Sequence, residues 1–335
     1  MRSAERASGA LACLLLAGQA LLPAQALSPV QQQRYCMGTM FSVVVYHPDV
    51  HEATVAIGQA LDEIVRLDGV MSHYKTDSDL SRLSHDARTG FVATEPSLYE
   101  VLELSVDFAR RSGGKFDVTI APLLRTWRDA HEAGRPPSAE DLASVARCVG
   151  YEHIEMSPPN RVRFHSDCLE LDLGGIGKGY AVDRALAVLR SAGIQHALVN
   201  AGGSTIGAIG RPPGVTGWPV QLAASLSGRE TLMLSNASIS TSQQHLTRRS
   251  LGGSRFGEIV DPRERAPIQH TGTVSVVAAS ATTSDALSTT LLVMPVGEGT
   301  QLLDRFGDVS ALWISPAGEL QAAYRASGLQ LAASR

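Results

Sequence analysis

Aromatic residues are scarce, at 5% of 335. That argues against a base-stacking platform for single-stranded nucleic acid. Basic residues are not in surplus: 29 Lys and Arg stand against 33 Asp and Glu, for a net charge near −4. No electrostatic footprint for a nucleic-acid backbone is present, and no acidic tract marks a disordered tail. Beyond the first 26 residues no run of ~18 apolar residues occurs, so the mature chain is expected to be soluble. The cysteines show no CxxC spacing, which argues against a zinc site. No GK[ST] follows a glycine loop, so a Walker-type nucleotide site is absent.

What is there begins with a targeting signal. Arg2 and Arg6 precede an apolar run from Ala10 to Leu22, and Ala24-Gln25-Ala26 has the small–x–small pattern of a cleavage site. Residues 1–26 read as a signal peptide and 27–335 as one large domain. The alternative is an uncleaved anchor. Cys36, Cys148 and Cys168 then remain. They read as buried, inert thiols, with one disulfide and one leftover thiol as the alternative in an oxidising compartment.

Periodicity organises the rest. Phe41 to Tyr46 reads as a strand, residues 52–68 as a helix, and Ser72 to Ser84 as a polar segment. Helices follow at Pro96–Arg111, from Pro122, and at Ser138–Cys148, with Ser138 as N-cap. Short strands around Ile154, Val162 and Leu171 precede a helix from Lys178 to Ser191. Strands at Ala197–Asn200, Val274–Ala278 and Ser310–Ile314 and a helix at Ser284–Met294 complete the pattern. Residues 243–257 read as a polar, Gly-rich loop. Helices early and short hairpins late favour an α+β fold with two lobes over a doubly wound sheet.

Three segments carry chemistry. In Leu171–Asp183, extended chain runs into glycines and then a helix, with Lys178 in its first turn. Glycines admit close approach of an anion, and a helix start with free N–H groups suits phosphate; a packing turn is the alternative. Asp285 and Thr289 lie one turn apart, and a carboxylate with a hydroxyl suits Mg²⁺ bridging to phosphate. Alternatively, Ser284 caps that helix and Asp285 complements its dipole. Asp285 is expected to be exposed, so that its removal leaves the fold intact. In Gly113–Pro122, Asp117 and Thr119 either face a ligand or fix a local turn.

Read together, these segments resemble the ApbE family of FAD:protein FMN transferases. The opening motif is Met37-Gly38-Thr39. The Ser-x-Tyr…Ser-x-[IL]-Ser-Arg signature appears at Ser72–Tyr74 and Ser78–Leu83. GG-x-[FM]-D-x-T-x-x-P stands at 113–122 and D-L-G-G-[IV]-[AG]-K-G-Y-A-[VA]-D at 172–183. Asn200–Gly203, Ala237–Ser242, Asp261-Pro262 and Ser284–Thr289 complete eight motifs in order over residues 34–315.

The resemblance implies an α/β fold of α+β type: a two-lobed, T-fold-like domain with mixed or antiparallel sheets, flanking helices and FAD in the cleft. It implies Mg²⁺ held by Asp285, Thr289 and the Gly175 carbonyl. Met37, Tyr74, Ser81, Asp117, Thr119, Gly175, Lys178 and Asp261 would form the cofactor-binding set, with Lys178 and Asp285 also catalytic. Family members move FMN from FAD to a Thr or Ser hydroxyl of a partner and release AMP. The partner would be an exported redox protein or a membrane redox-complex subunit, not a nucleic acid, which places the chain in the periplasm, free or at the inner membrane.

Departures cluster at the acceptor end. The family's histidine before I-[IV]-D-P is Glu258 here, its Thr-Gly after Asp-Pro-Arg is Glu264-Arg265, and a usual Gly is Gln243. A carboxylate can serve as general base, so Glu258 takes that role, with His245 or His270 as substitutes. His73 reads as a solvated loop histidine. Two other readings stay open: a FAD pyrophosphatase and a non-catalytic FAD-binding protein.

Overall fold

Eight strands form one sheet whose spatial order repeats the chain order: Pro29–Cys36, Thr39–Tyr46, Ala197–Ala201, Thr205–Ile209, Ser238–Gln244, Gly272–Ala278, Ser310–Ile314 and Leu320–Tyr324. The computed structural model describes residues 27–324 apart from 223–230, 245–249, 252–253 and 256. The signal-like stretch, part of the 243–257 loop and His245 therefore lie outside the described residues. Every strand pairing among the described residues is antiparallel, so the sheets are not mixed.

The first hairpin closes on Met37-Gly38, with φ of 50° and 72°. Two left-handed residues make the type I′ turn whose twist matches the flanking strands. Alternation then assigns faces. Phe41, Val43 and Val45 point into the main core, while Val44 and Tyr46 face the opposite side.

Among the described residues eight α-helices follow the chain: α1 Val50–Met71, α2 Asp79–Asp86, α3 Pro96–Arg111, α4 Ala121–Ala133, α5 Ala139–Ala146, α6 Gly177–Ser191, α7 Ala281–Val293 and α8 Val296–Leu303. α1, α6 and α7 cover one face of the sheet with apolar stripes such as Ile57, Leu61 and Ile64 on α1 and Val182, Ala185, Leu186 and Leu189 on α6. The hairpin Trp218–Gln221 with Thr231–Leu234 covers part of the other face. Residues 47–196 form one long insertion between the second and third strands, containing α1–α6 and a small sheet of Val92–Ala93, Arg161–Phe164 and Ile154–Ser157. None of the described helices is long and apolar enough to cross a membrane.

Several expectations need correction. Ser72–Ser84 contains the start of α2, because the Ser78 hydroxyl accepts the Ser81 N–H and nucleates a turn. Leu171 is not in a strand: single bonds hold this stretch, with Leu171 N–H on Ser84 Oγ and Asp172 N–H on the Val118 carbonyl, and no ladder forms. The sheet strand Ser238–Gln244 and a hairpin of Ser250–Leu251 with Ser254–Arg255 run into the stretch read as a loop. Cys148 and Cys168 are not thiols but a disulfide, joining the end of α5 to the segment that enters the Asp172 turn.

Cys36 is the free cysteine among the described residues and is buried. Burial, reinforced by the negative charge of Asp68, pushes its thiol up to about 11. A chain starting at Leu27 should therefore show no fast-reacting thiol at pH 8 while folded, and one after unfolding without reductant. Thiol counting with a chromogenic reagent checks this; two or more reactive thiols would break the disulfide assignment.

Candidate active site

α6 and α7 cap each other. The Asp183 carboxylate on α6 accepts the Ala281 and Thr282 N–H groups at 2.8 Å, together with the hydroxyls of Ser280 and Thr282 at 2.7 and 2.6 Å. The Asp285 carboxylate on α7 accepts the Gly179 N–H near the start of α6 at 2.8 Å. Each helix thus supplies an acid to the positive end of the other. Ser280 is the N-cap residue of α7, not Ser284, whose buried hydroxyl bonds Ser238 and Ser240 instead. The crossing is close: a Cβ on Gly179 would overlap the Ala281 carbonyl and lie 2.7 Å from Asp285 Cβ.

Asp285 is buried, at 5% exposure, contrary to the exposed placement expected of it. The residue begins the second turn of α7, where the helix lies against α6 and the sheet. Burial pushes its carboxyl up, opposed by the Lys178 charge and the Gly179 N–H. Among the described residues its second oxygen meets only Thr205 Oγ1, at 3.4 Å. Thr289, one turn on, shares a hydroxyl contact with Ser242 at 3.1 Å. A Cβ on Gly175 would lie 3.6 Å from Thr289 Oγ1 and 3.2 Å from Phe116. The glycine turn, Lys178, Asp285 and Thr289 therefore meet at one place. The helix start is less free than expected: the Ile176 and Gly177 N–H groups bond the Leu173 carbonyl, and that of Gly179 is taken by Asp285.

The remaining predicted residues divide. Tyr74 is exposed and lies against His73, with ring centroids 3.8 Å apart and planes tilted by 40°. Two adjoining cavities of about 590 and 520 Å³ share Tyr74 and Asp172 on their walls, and Glu258 lines the second. Asp172 links this space to the turn by accepting the Gly174 N–H at 2.6 Å. Glu258 is exposed and makes no hydrogen bond or ion pair among the described residues.

Asp117 and Thr119 are buried and clamp backbone. Asp117 accepts the Thr119 and Tyr151 N–H groups, and Thr119 Oγ1 accepts that of Gly150. Burial raises the Asp117 carboxyl, against these donors. Ser81 donates to the Lys75 carbonyl and closes the loop before α2. Met37 sits in the hairpin turn, partly buried against the main core. Asp261 is buried and bonds the Arg263 and Glu264 N–H groups and Lys115. His270 bonds the Leu292 carbonyl at 2.7 Å.

The sequence model of the ApbE family matches residues 37–313. The chain belongs to the ApbE family. Among its relatives, the FAD:protein FMN transferase of Klebsiella pneumoniae (strain 342) is 26% identical over 313 residues, covering 88% of each chain. That of Vibrio cholerae serotype O1 is 29% identical over 301 residues, covering 85% of this chain and 86% of its own. Among solved structures, the apo form of Pseudomonas stutzeri flavinyl transferase ApbE superposes with a TM-score of 0.78 at 26% identity, over 90% of this chain and 95% of that one. Vibrio cholerae flavin transferase ApbE gives 0.75 at 26% identity, over 90% and 98%.

Within this ApbE chain, sequence reasoning missed Asp183 as the cap of α7 and Lys115 as the partner of Asp261. Asp183 sat inside a motif read for phosphate binding. Lys115 occupies a position the GG-x-[FM]-D signature leaves open, so only the fold reveals it.

The two capping acids should separate on mutation. Asp183→Ala strands two helix N–H groups and should lower stability by about 2 kcal/mol. Asp285→Asn keeps an acceptor for Gly179 and removes a buried charge, so in metal-free buffer it should unfold no earlier than the parent. Urea unfolding of both variants checks this; an equal fall for both would contradict the difference in role.

Proposed function

We propose that this chain transfers FMN from FAD to a Thr or Ser hydroxyl of an acceptor protein, releasing AMP. One observation carries the reading: the Gly174-Gly175 turn and Lys178 meet Asp285 and Thr289 where α6 and α7 cross. ApbE membership supports the same chemistry.

The residues fit a hard divalent ion. Asp285 has a buried oxygen with one long contact, and hydroxyl and backbone oxygen donors lie beside it. Among the described residues no cluster of three His, Cys, Asp or Glu competes for a metal. Asp285, Thr289 and the Gly175 carbonyl would hold Mg²⁺. When bound, the ion supplies charge neutralisation on the pyrophosphate oxygens.

The chain's own residues do the rest. Lys178 adds a positive charge at the mouth of the glycine turn. Tyr74 offers an aromatic face to FAD at the cavity wall. The acceptor oxygen attacks the phosphorus on the FMN side, the bond to AMP breaks, and Glu258 takes the hydroxyl proton. Ser81 serves FAD on the cavity wall, Asp117 and Thr119 by fixing the stretch whose Val118 carbonyl holds the Asp172 N–H, Asp261 by setting the 261–265 turn and Met37 by its hairpin turn. Replacing the acceptor by water would give FMN and AMP, and the exposure of Glu258 is the observation favouring that second reading.

The acceptor would be an exported redox protein or a membrane redox-complex subunit, met in the periplasm after removal of residues 1–26. The disulfide supports an oxidising compartment.

With FAD, Mg²⁺ and a candidate acceptor, flavin fluorescence should appear on the acceptor in a denaturing gel and vanish with chelator. AMP release without labelling of any acceptor would move the assignment to a pyrophosphatase. Glu258→Gln should slow transfer by about 10²-fold with FAD affinity held; equal losses in both would remove Glu258 as base.

A further inference from the structure

The segment that carries Glu258 has little sheet to hold it. Among the described residues its Val260–Asp261 strand pairs only with Ala266–Pro267, in a two-stranded sheet. Its position depends instead on side chains reaching in from elsewhere. Gln244, buried at the end of its strand, accepts the Ile259 N–H at 3.2 Å and reaches the Ile268 carbonyl at 3.4 Å. The Trp127 indole N–H donates to the Arg265 carbonyl at 2.9 Å, where Arg265 holds a left-handed φ of 55°. Lys115 Nζ meets Asp261 Oδ2 at 2.6 Å, in an ion pair whose side chains are 19% and 6% exposed.

The third contact is the strongest kind. A charged hydrogen bond shielded from water is far less screened than a surface pair, and removing one partner leaves a buried charge uncompensated. Asp261 uses its other oxygen to accept the Arg263 and Glu264 N–H groups. Lys115 therefore grips the carboxylate around which the 261–264 turn is wound. It does so from the 113–117 turn, which is itself fastened by Asp117 to Tyr151.

We propose that Lys115 is a positioning residue: its pairing with Asp261 sets where the Glu258 carboxylate stands in the 520 Å³ cavity. This inference rests on Glu258 acting as the base of FMN transfer. Lys115 touches no reacting atom; it acts through Asp261 and the two residues, Ile259 and Val260, between that aspartate and Glu258. Arginine, which keeps the charge and the donors, should preserve the grip; methionine, which keeps the aliphatic stem alone, should release it.

The full chain is assayed for acceptor labelling with FAD and Mg²⁺ as parent, Lys115→Met, Lys115→Arg, Glu258→Gln and the Lys115→Met/Glu258→Gln double variant. Amide hydrogen exchange is followed in the same proteins. In Lys115→Met, kcat should fall about tenfold or more, since misplacing a catalytic group by an ångström is that damaging. The KM for FAD should rise by less than kcat falls. Exchange at the Arg263 and Glu264 amides should speed about tenfold. Lys115→Arg should recover most of the rate. The double variant should be no slower than Glu258→Gln alone, because the two residues act as one unit. Unchanged exchange in Lys115→Met, or losses that multiply in the double variant, would overturn the proposal. Failure of the parent to label any acceptor would instead overturn the transfer reading, and the exchange rates would still decide whether Lys115 holds the turn.

Discussion

Two carboxylates exchanged between two helices organise this molecule. Asp183 holds the start of α7 and Asp285 holds the start of α6, so neither helix can shift along the other without stranding backbone N–H groups. The glycine at 179 lets the helices come close enough for the exchange. The two acids are not equivalent. Asp183 has four donors and is satisfied, whereas Asp285 is buried with one good donor and one long contact. The unequal satisfaction separates a fully paired clamp from a carboxylate with an oxygen to spare.

Around that crossing the architecture is divided by task. The sheet and its three covering helices supply the rigid floor, with residues packed on both faces. The long insertion brings Tyr74 and Asp172 to the same rim. The segment 257–267 faces them across the cavity, held chiefly by side chains. Of the departures from the ApbE pattern, Glu258 and Glu264-Arg265 fall on that segment, and Gln243 lies near the end of the sheet strand whose Gln244 holds it. Rigid scaffolds with variable rims are how one fold accommodates different partners.

Much of this was legible in the residues alone. The Pro96–Arg111 helix was readable from its N-terminal proline and from glycines after its last turn, and Ser138 did cap α5 with Asp141 completing a capping box. Local signals sufficed there because local physics decides. They failed where a distant group intervened. Ser284 looked like a cap, but the helix begins four residues earlier because Asp183 binds its first N–H groups. Asp285 was expected at the surface as a metal ligand, yet it is buried beside hydroxyls in a hydrogen-bonded layer between helix and sheet. The Cys148–Cys168 pairing depends on two segments meeting, which spacing along the chain does not encode.

The order of strands has a consequence for synthesis. The second strand finds its neighbour only at residues 197–201, after the whole 47–196 insertion. A chain growing from its N-terminus at about 5–20 residues per second holds that first hairpin unpartnered for roughly ten seconds or more. Throughout that interval Phe41, Val43 and Val45 have no third strand beside them. An isolated hairpin is marginal in water, so the nascent chain presents a sticky apolar edge well before it can bury it.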